Sequence, residues 1–121
     1  MEVKNSKKEN LRKLFVYGTL QTGQSRNSIL KGLKYEKATL FNFRKVKPSS
    51  LGFPLIIRDN SSNVQGEIYY DLDHFLIDQI DIIEGEGEFY HRIMVKVVLD
   101  DGKKVEAFTY YPSEILITKY T

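Results

Sequence analysis

The chain contains no cysteine and only two histidines in its 121 residues, and each shortage removes a class of chemistry. Without thiols there is no disulfide, no thiolate metal site and no cysteine nucleophile. The same shortage is consistent with a reducing compartment. His74 and His91 do not form a His-Glu-x-x-His pair or any other cluster, so a metal site would have to rest on carboxylates, and nothing in the pattern argues for one. Serine chemistry finds no nucleophile-elbow motif. No apolar run approaches membrane-spanning length. The opening segment Met1–Lys8 lacks the apolar stretch of a signal peptide, and the sequon Asn60-Ser61-Ser62 carries no meaning without secretion. There is no internal repeat and no low-complexity tract. What is present is the composition of an ordinary globular protein, 41% hydrophobic and 28% charged, in a length that suits one domain with a real core.

Charge is unevenly placed. Residues 1–13 hold five Lys/Arg against two Glu, whereas the remainder holds 13 bases against 14 acids. The net charge of +2 therefore belongs to the N-terminal segment. Residues 1–10 are polar and without periodicity, and we expect a disordered tail there, with a single domain over residues 11–121. Between Asn60 and His91 there is no Lys or Arg, while eight acids occur; from Lys31 to Arg58 there are seven bases against Glu36 alone. Blocks of this kind usually mark solvated faces.

Leu14 to Tyr17 is a short apolar run suited to a buried strand. Gly18 to Gly23 follows as a loop, and Ser25 could cap a short helix running through Leu33. Lys37 to Lys47 predicts a long, partly exposed strand. Leu51-Gly52-Phe53-Pro54 predicts a turn, Leu55 to Ile57 a short strand, Asp59 to Asn63 another turn, and Val64 to Tyr70 a strand in which Gly66 suggests a bulge or a close backbone approach. The main helix is expected from Leu72 to Ile83, with Leu72, Phe75, Leu76, Ile80 and Ile83 as its apolar stripe. Asp71 or Asp73 can cap it and Gly85 can stop it. Tyr90 to Leu99 alternates, with Ile93, Val95, Val97 and Leu99 on one face. Asp100-Asp101-Gly102 carries a hairpin signal, and Lys104 to Tyr111 returns as the partner strand. Many strands, one main helix and a second short one predict an α+β domain whose strands curl into a small mixed β-barrel with the helix packed outside.

Three local patterns bear on chemistry. Gly18 to Ser25 nearly matches a phosphate-binding loop, but Gln24 stands where that motif carries its lysine, and the chain lacks alternating strands and helices. The physical content of the loop survives: a strand ending in Gly18-Thr19-Leu20 can present backbone amides to a carboxylate, an amide carbonyl or a developing oxyanion. Asp71-Leu72-Asp73 onward superficially suggests a calcium loop, but it lacks the glycine at the sixth position and has helical periodicity instead. Glu84 lies at the end of the predicted helix, where the negative helix terminus and the apolar Ile82, Ile83, Phe89 and Tyr90 would raise its pKa from about 4.3. A carboxylate so placed can take and return a proton near neutral pH. Glu86 and Glu88, in a glycine-flanked loop, are expected in solvent. His74 is expected on the outer helix face, His91 as a structural residue, and Arg92 as an ion-pair partner or a surface strand residue.

Val16-Tyr17-Gly18-Thr19-Leu20 with Gly23, Gly52-Phe53-Pro54-Leu55, Val64-x-Gly66-Glu67-Ile68-Tyr69, and Asp81-x-x-Glu84-Gly85 followed by Tyr90-x-Arg92 resemble, in their order and spacing, the γ-glutamylcyclotransferase-like (AIG2-like) family, closest in motif to γ-glutamylamine cyclotransferase. The match runs from about Leu14 to Tyr111. The resemblance implies a small β-barrel with flanking helices, a substrate-binding loop at Tyr17, Gly18, Thr19 and Leu20, and a catalytic glutamate at Glu84. Tyr90 is a further substrate-site candidate, able to orient the carboxylate or close the pocket. In the γ-glutamylamine branch the Gly-Gln pair precedes a small residue and then Asn; here Gly23-Gln24-Ser25 runs into Arg26 and then Asn27, so the substrate subgroup stays open. The implied reaction is a cofactor-free cyclisation of a γ-glutamyl amine or peptide, releasing 5-oxoproline. The expected partner is a small molecule, with no nucleic acid and no membrane, acting as a cytoplasmic monomer. Two other readings are a non-catalytic small-molecule binding module of the same fold and a β-barrel nucleic-acid binder, the latter using the basic 31–58 block with Phe41, Phe43 and Phe53 as stacking platforms.

Overall fold

A computed structural model describes residues 12–49 and 54–120. The expected N-terminal tail and most of the Leu51–Pro54 turn, Phe53 included, lie outside the described residues. Five strands close into a barrel in the order β1-β3-β2-β4-β5. They are β1 (Leu14–Val16), β2 (Tyr35–Val46), β3 (Leu55–Tyr69), β4 (Tyr90–Leu99) and β5 (Lys104–Pro112). Helix α1 (His74–Glu84) follows β3, and helix α2 (Glu114–Tyr120) ends the described chain. Closure is mixed: β1 pairs antiparallel with β3 but runs parallel to β5 at Leu14 and Phe108, while the remaining pairs are antiparallel. The expected α+β architecture, a small mixed barrel with flanking helices, is the observed one.

Side-chain alternation divides the core into two parts. Phe15, Ala38, Leu40, Phe43, Ile56, Val64, Ile68, Val97, Leu99 and Ala107 come from all five strands and fill the barrel. Leu14, Val16, Leu55, Tyr69, Phe108 and Tyr110 face outward and meet Ile77 and Ile80 of α1 and Leu116 of α2. Gly66 lies where the close-approach expectation placed it. A Cβ there would collide with the Val16 carbonyl oxygen and the Phe15 ring, so β3 can pass β1 only without a side chain.

Several local expectations are corrected. Residues 55–69 form one long strand, with no break at Asp59–Asn63. The turn chemistry is nevertheless present inside it. Asp59 accepts hydrogen bonds from the amide and hydroxyl of Ser61. Opposite, Asn42 takes a left-handed φ of 70°, and the register shifts between Phe41 and Phe43. That bulge also parts two residues that a regular strand would set on one face: Phe41 is exposed while Phe43 is buried in the barrel. The helix expected from Ser25 to Leu33 reduces to a single 3-10 turn, Asn27–Leu30, whose N-terminal residue Arg26 offers no side-chain cap. The second helix of the fold is instead α2.

The main helix starts after Asp73, whose carboxylate accepts from the Leu76 amide, and ends at Gly85 with φ 65°. Its buried face is centred on Ile77 and Ile80, and Phe75 is 72% exposed rather than part of the stripe. From Ile77 and Ile80 the helical spacing of three and four leads to Glu84, which places that carboxylate on the inward face. Leu72 is fully buried just before the helix, held by its amide on the Arg12 carbonyl and by Arg12 Nε on its own carbonyl.

Candidate active site

Where β1 leaves the barrel, the chain turns at Gly18 and returns along itself to Leu30. Every carbonyl of the Gly18–Leu20 segment accepts a bond within this loop. The Gln21 amide donates to Gly18, the Arg26 amide to Thr19, and the Asn27 side chain to Leu20. Among the described residues, none accepts from the amides of Gly18, Thr19 or Leu20. The loop is pinned from below by β3. Asn27 Nδ2 donates to the Tyr69 hydroxyl at 2.9 Å, and Glu67 Oε1 accepts from the Thr22 amide at 2.8 Å. The result is a set of carbonyls committed to the loop itself and amides that remain available, the arrangement expected of a polar-group cradle.

This loop forms one wall of a cavity of ≈ 470 Å³. Tyr17, Gly18, Thr19, Leu20, Glu84 and Tyr90 all line it, so the structure gathers every site residue expected from sequence. Glu84 enters from the last turn of α1. Its helix must stop there sharply, and Gly85 provides the left-handed residue; a Cβ at Gly85 would also meet the Phe89 ring at 2.6 Å. The Glu84 side chain is only 16% exposed. Burial pushes its carboxyl above the usual glutamate range, and Arg26, with Nη1 3.7 Å from Glu84 Oε2, draws it part of the way back. Ile82, expected to help desolvate this group, is 80% exposed and points away; Ile83, Phe89 and Tyr90 line the cavity. Glu86, Glu88 and His74 are exposed, and His91 packs edge-on to Tyr111.

Three tyrosines surround the carboxylate. Burial raises the pKa of Tyr17, and the negative potential of Glu84 adds to the shift; the Tyr17 hydroxyl donates to the Tyr110 carbonyl at 2.5 Å. Burial and then Glu84 likewise raise Tyr90, whose hydroxyl lies 3.4 Å from the Pro54 carbonyl. Tyr110 is raised by burial and by its hydrogen bond to Asp81 Oδ1 at 2.5 Å. These phenols stay protonated across the working pH range and act as donors. Asp81, one helical turn before Glu84, also takes Arg92 Nε at 3.5 Å, which fulfils the ion-pair expectation for Arg92. The pair fastens the C-terminal turn of α1 to β4 and β5.

Sequence reasoning did not place Arg26, Thr109, Tyr110 or α2 at the site. Ile115, Leu116, Lys119 and Tyr120 of α2 line the cavity. The only local signal for this helix was Ser113, whose hydroxyl accepts from the Leu116 amide at 3.4 Å, preceding a run of seven residues too short for periodicity to be decisive. Among the described residues no group of His, Asp and Glu could hold a metal ion, and no helix is long and apolar enough to cross a membrane.

A closed small barrel with a part-buried carboxylate and a Tyr-Gly-Thr-Leu loop lining one cavity defines a recognisable class. The sequence model of the family described as "Gamma-glutamyl cyclotransferase, AIG2-like" matches residues 14–119, and the chain belongs to that enzyme family. A protein of Methanocaldococcus jannaschii, provisionally named a gamma-glutamylcyclotransferase, is 30% identical over 111 residues, covering 84% of each chain. Gamma-glutamylaminecyclotransferase A of Danio rerio is 30% identical over 111 residues, covering 83% of this chain and 68% of that protein. The fold matches a crystal structure of an AIG2-like protein from Mus musculus with a TM-score of 0.75, at 22% identity, over 86% of this chain and 78% of that one.

Proposed function

We propose that this protein cyclises a γ-glutamyl amide to 5-oxoproline and a free amine or amino acid, with Glu84 as the single proton carrier. The observation that carries the reading is the Glu84 carboxylate, its side chain 16% exposed, lining the same cavity as the Gly18–Leu20 loop with its uncommitted amides. The chemistry needs little else. A γ-glutamyl amide carries its own nucleophile, the α-amino group, which closes a five-membered ring on the γ-carbonyl carbon. Holding the chain curled supplies proximity, which can be worth roughly 7–11 kcal/mol of barrier.

The α-amine has a pKa near about 7.7–8.0, so it must be unprotonated before it attacks. As its nitrogen bonds to the γ-carbon it gives a proton to Glu84. The carbonyl oxygen becomes an oxyanion, which amides of Gly18, Thr19 and Leu20 are suited to receive. The bond from the γ-carbon to the amide nitrogen then breaks, and Glu84 returns the proton to that nitrogen. A raised carboxylate pKa suits both transfers, because the group must be a competent base in the first and a competent acid in the second. Tyr90, protonated beside Glu84, would orient the carboxylate or close the pocket.

The test is a panel of γ-glutamyl amines and dipeptides incubated with the purified protein, with 5-oxoproline and the released amine quantified together. Stoichiometric release of both supports the proposal. Binding without release on every substrate points to a non-catalytic module instead.

A further inference from the structure

The Tyr17–Thr19 turn has a second side. Tyr17, Gly18, Thr19 and Pro54 line the cavity that holds Glu84, and the same four residues line a separate hollow of ≈ 340 Å³, in which Glu84, Tyr90 and α2 take no part. The partition is tight: a Cβ on Gly18 would lie 3.1 Å from Pro54 Cγ. Gln21 and Gln24 of the loop, with Lys45, Lys47, Pro48 and Ser49 at the end of β2, complete the hollow. Lys45 and Lys47 belong to the basic 31–58 block and stand two residues apart, so alternation sends both to the same side. Neither has an ion pair among the described residues, and no acidic residue among them lines the hollow. Carboxylates of the adjoining strand β3 are engaged elsewhere: Glu67 accepts from Thr22, and Asp59 from Arg44 and Ser61. Burial lowers the Lys45 pKa, and the positive charge of Lys47 lowers it further. Two ammonium groups therefore face one space with nothing of opposite sign in it.

We propose that this hollow is a binding site for a phosphate monoester, outside the catalytic cavity and independent of the cyclotransferase reading. The charge of the ligand follows from the lysine pair. A phosphate monoester carries about −1.5 to −2 at pH 7, which matches two ammonium groups, whereas a single carboxylate would leave one of them uncompensated. Lysines meet a phosphate as point charges, and the side-chain amides of Gln21 and Gln24 and the Ser49 hydroxyl add further donors. An anion between Lys45 and Lys47 also offsets their mutual repulsion. The volume lies at the lower end of the about 300–1,000 Å³ typical of small-molecule sites, which leaves room beyond the phosphate group. Pro48, Pro54 and Tyr17 offer apolar surface there for a small organic remainder.

The test titrates the full-length protein with glycerol phosphate, inorganic phosphate and acetate, following heat and backbone amide NMR shifts. Glycerol phosphate should bind at least as tightly as inorganic phosphate, and acetate about tenfold more weakly or worse. Added salt should weaken both phosphates. The shifts should centre on Gly18, Gln21, Gln24, Lys45 and Lys47. Lys45→Gln and Lys47→Gln should each raise Kd about tenfold, the scale of one hydrogen bond to a charged group. Lys103→Gln, in a different lysine-lined hollow, should leave Kd unchanged. Shifts centred on Glu84, Tyr90 and α2 overturn the inference, as does a Kd that Lys103→Gln raises as much as Lys45→Gln. The absence of saturable binding by either phosphate overturns it outright. Inorganic phosphate binding more tightly than glycerol phosphate would assign the site to the free ion and overturn the monoester.

Discussion

Strand β1 sends Phe15 into the barrel and Leu14 and Val16 toward the helices, and its two sides meet different surroundings. Inside the barrel the neighbours are aliphatic and aromatic residues from all five strands, apart from Tyr17 at the mouth. On the helix side the buried set includes Tyr69, Tyr90 and Tyr110, whose rings are packed but whose hydroxyls find polar partners. The closed interior supplies shape and stability without a carboxylate among the described residues. The seam between barrel and helices is less uniformly apolar, and it is there that a carboxylate can be half-withdrawn from water and still be reached by a ligand. Binding machinery thus falls where two layers meet imperfectly, not where packing is best.

That contrast can be broken experimentally, beginning with the largest effect. Glu84→Gln keeps the shape of the side chain and removes the base, so turnover should fall by about 10²–10⁴-fold, the usual contribution of a positioned acid–base group. Stability should move the other way. A carboxyl whose folded pKa lies above its ordinary value of 4.5 is a burden whenever it is charged in the folded state. Relative to wild type, the variant should therefore melt higher at pH 7. The gain should shrink as pH falls through the raised folded value and vanish below the unfolded one. Melting curves at pH 4 and pH 7 check the sign.

A barrel-interior change should do the reverse. Ile56 is fully buried, and Ile56→Ala should cost about 2–5 kcal/mol in denaturant unfolding while the folded fraction keeps its kcat. Tyr110→Phe tests the seam more finely. It removes the donor to Asp81, leaving Arg92 as the partner of that carboxylate, and should cost about 1.5–3 kcal/mol. A fall in kcat larger than the loss of folded protein would show that the Asp81 anchor positions Glu84. The smallest effect belongs to Phe75→Ser. With its side chain 72% exposed, this change should alter stability by no more than about 0.5 kcal/mol, whereas a loss of several would restore Phe75 to the helix-facing stripe.

Those last two residues show how far the sequence could be read. The barrel, the main helix, the β4–β5 hairpin, the Gly18–Leu20 loop and Glu84 were legible because each rests on a local signal: alternation, capping, an Asp-Gly turn, a glycine after a strand; Tyr17 entered only with the family resemblance. Phe75 was assigned to the buried stripe because its spacing suited a helix beginning at Leu72. The Asp73 cap delays the start, and the inward face then runs through Ile77, Ile80 and Glu84. Asp59 to Asn63 has the composition of a turn and performs the chemistry of one, but long pairing with β2 on either side carries the strand through it. Helix α2, Arg26 and Tyr110 reach the cavity only through tertiary packing, and no spacing along the chain announces that Arg26 will stand beside Glu84.

The most direct measurement of the central claim is the pH dependence of kcat/KM for 5-oxoproline formation by wild type and Glu84→Gln, on whichever substrate of the panel is turned over fastest. Both proteins should lose activity below the substrate amine's own pKa of about 7.7–8.0, and the wild type alone should fall still more steeply at lower pH, as Glu84 takes up its proton at a pKa above 4.5. An identical acid limb in both proteins, or a variant as fast as the wild type, would contradict the assignment of the proton chemistry to Glu84.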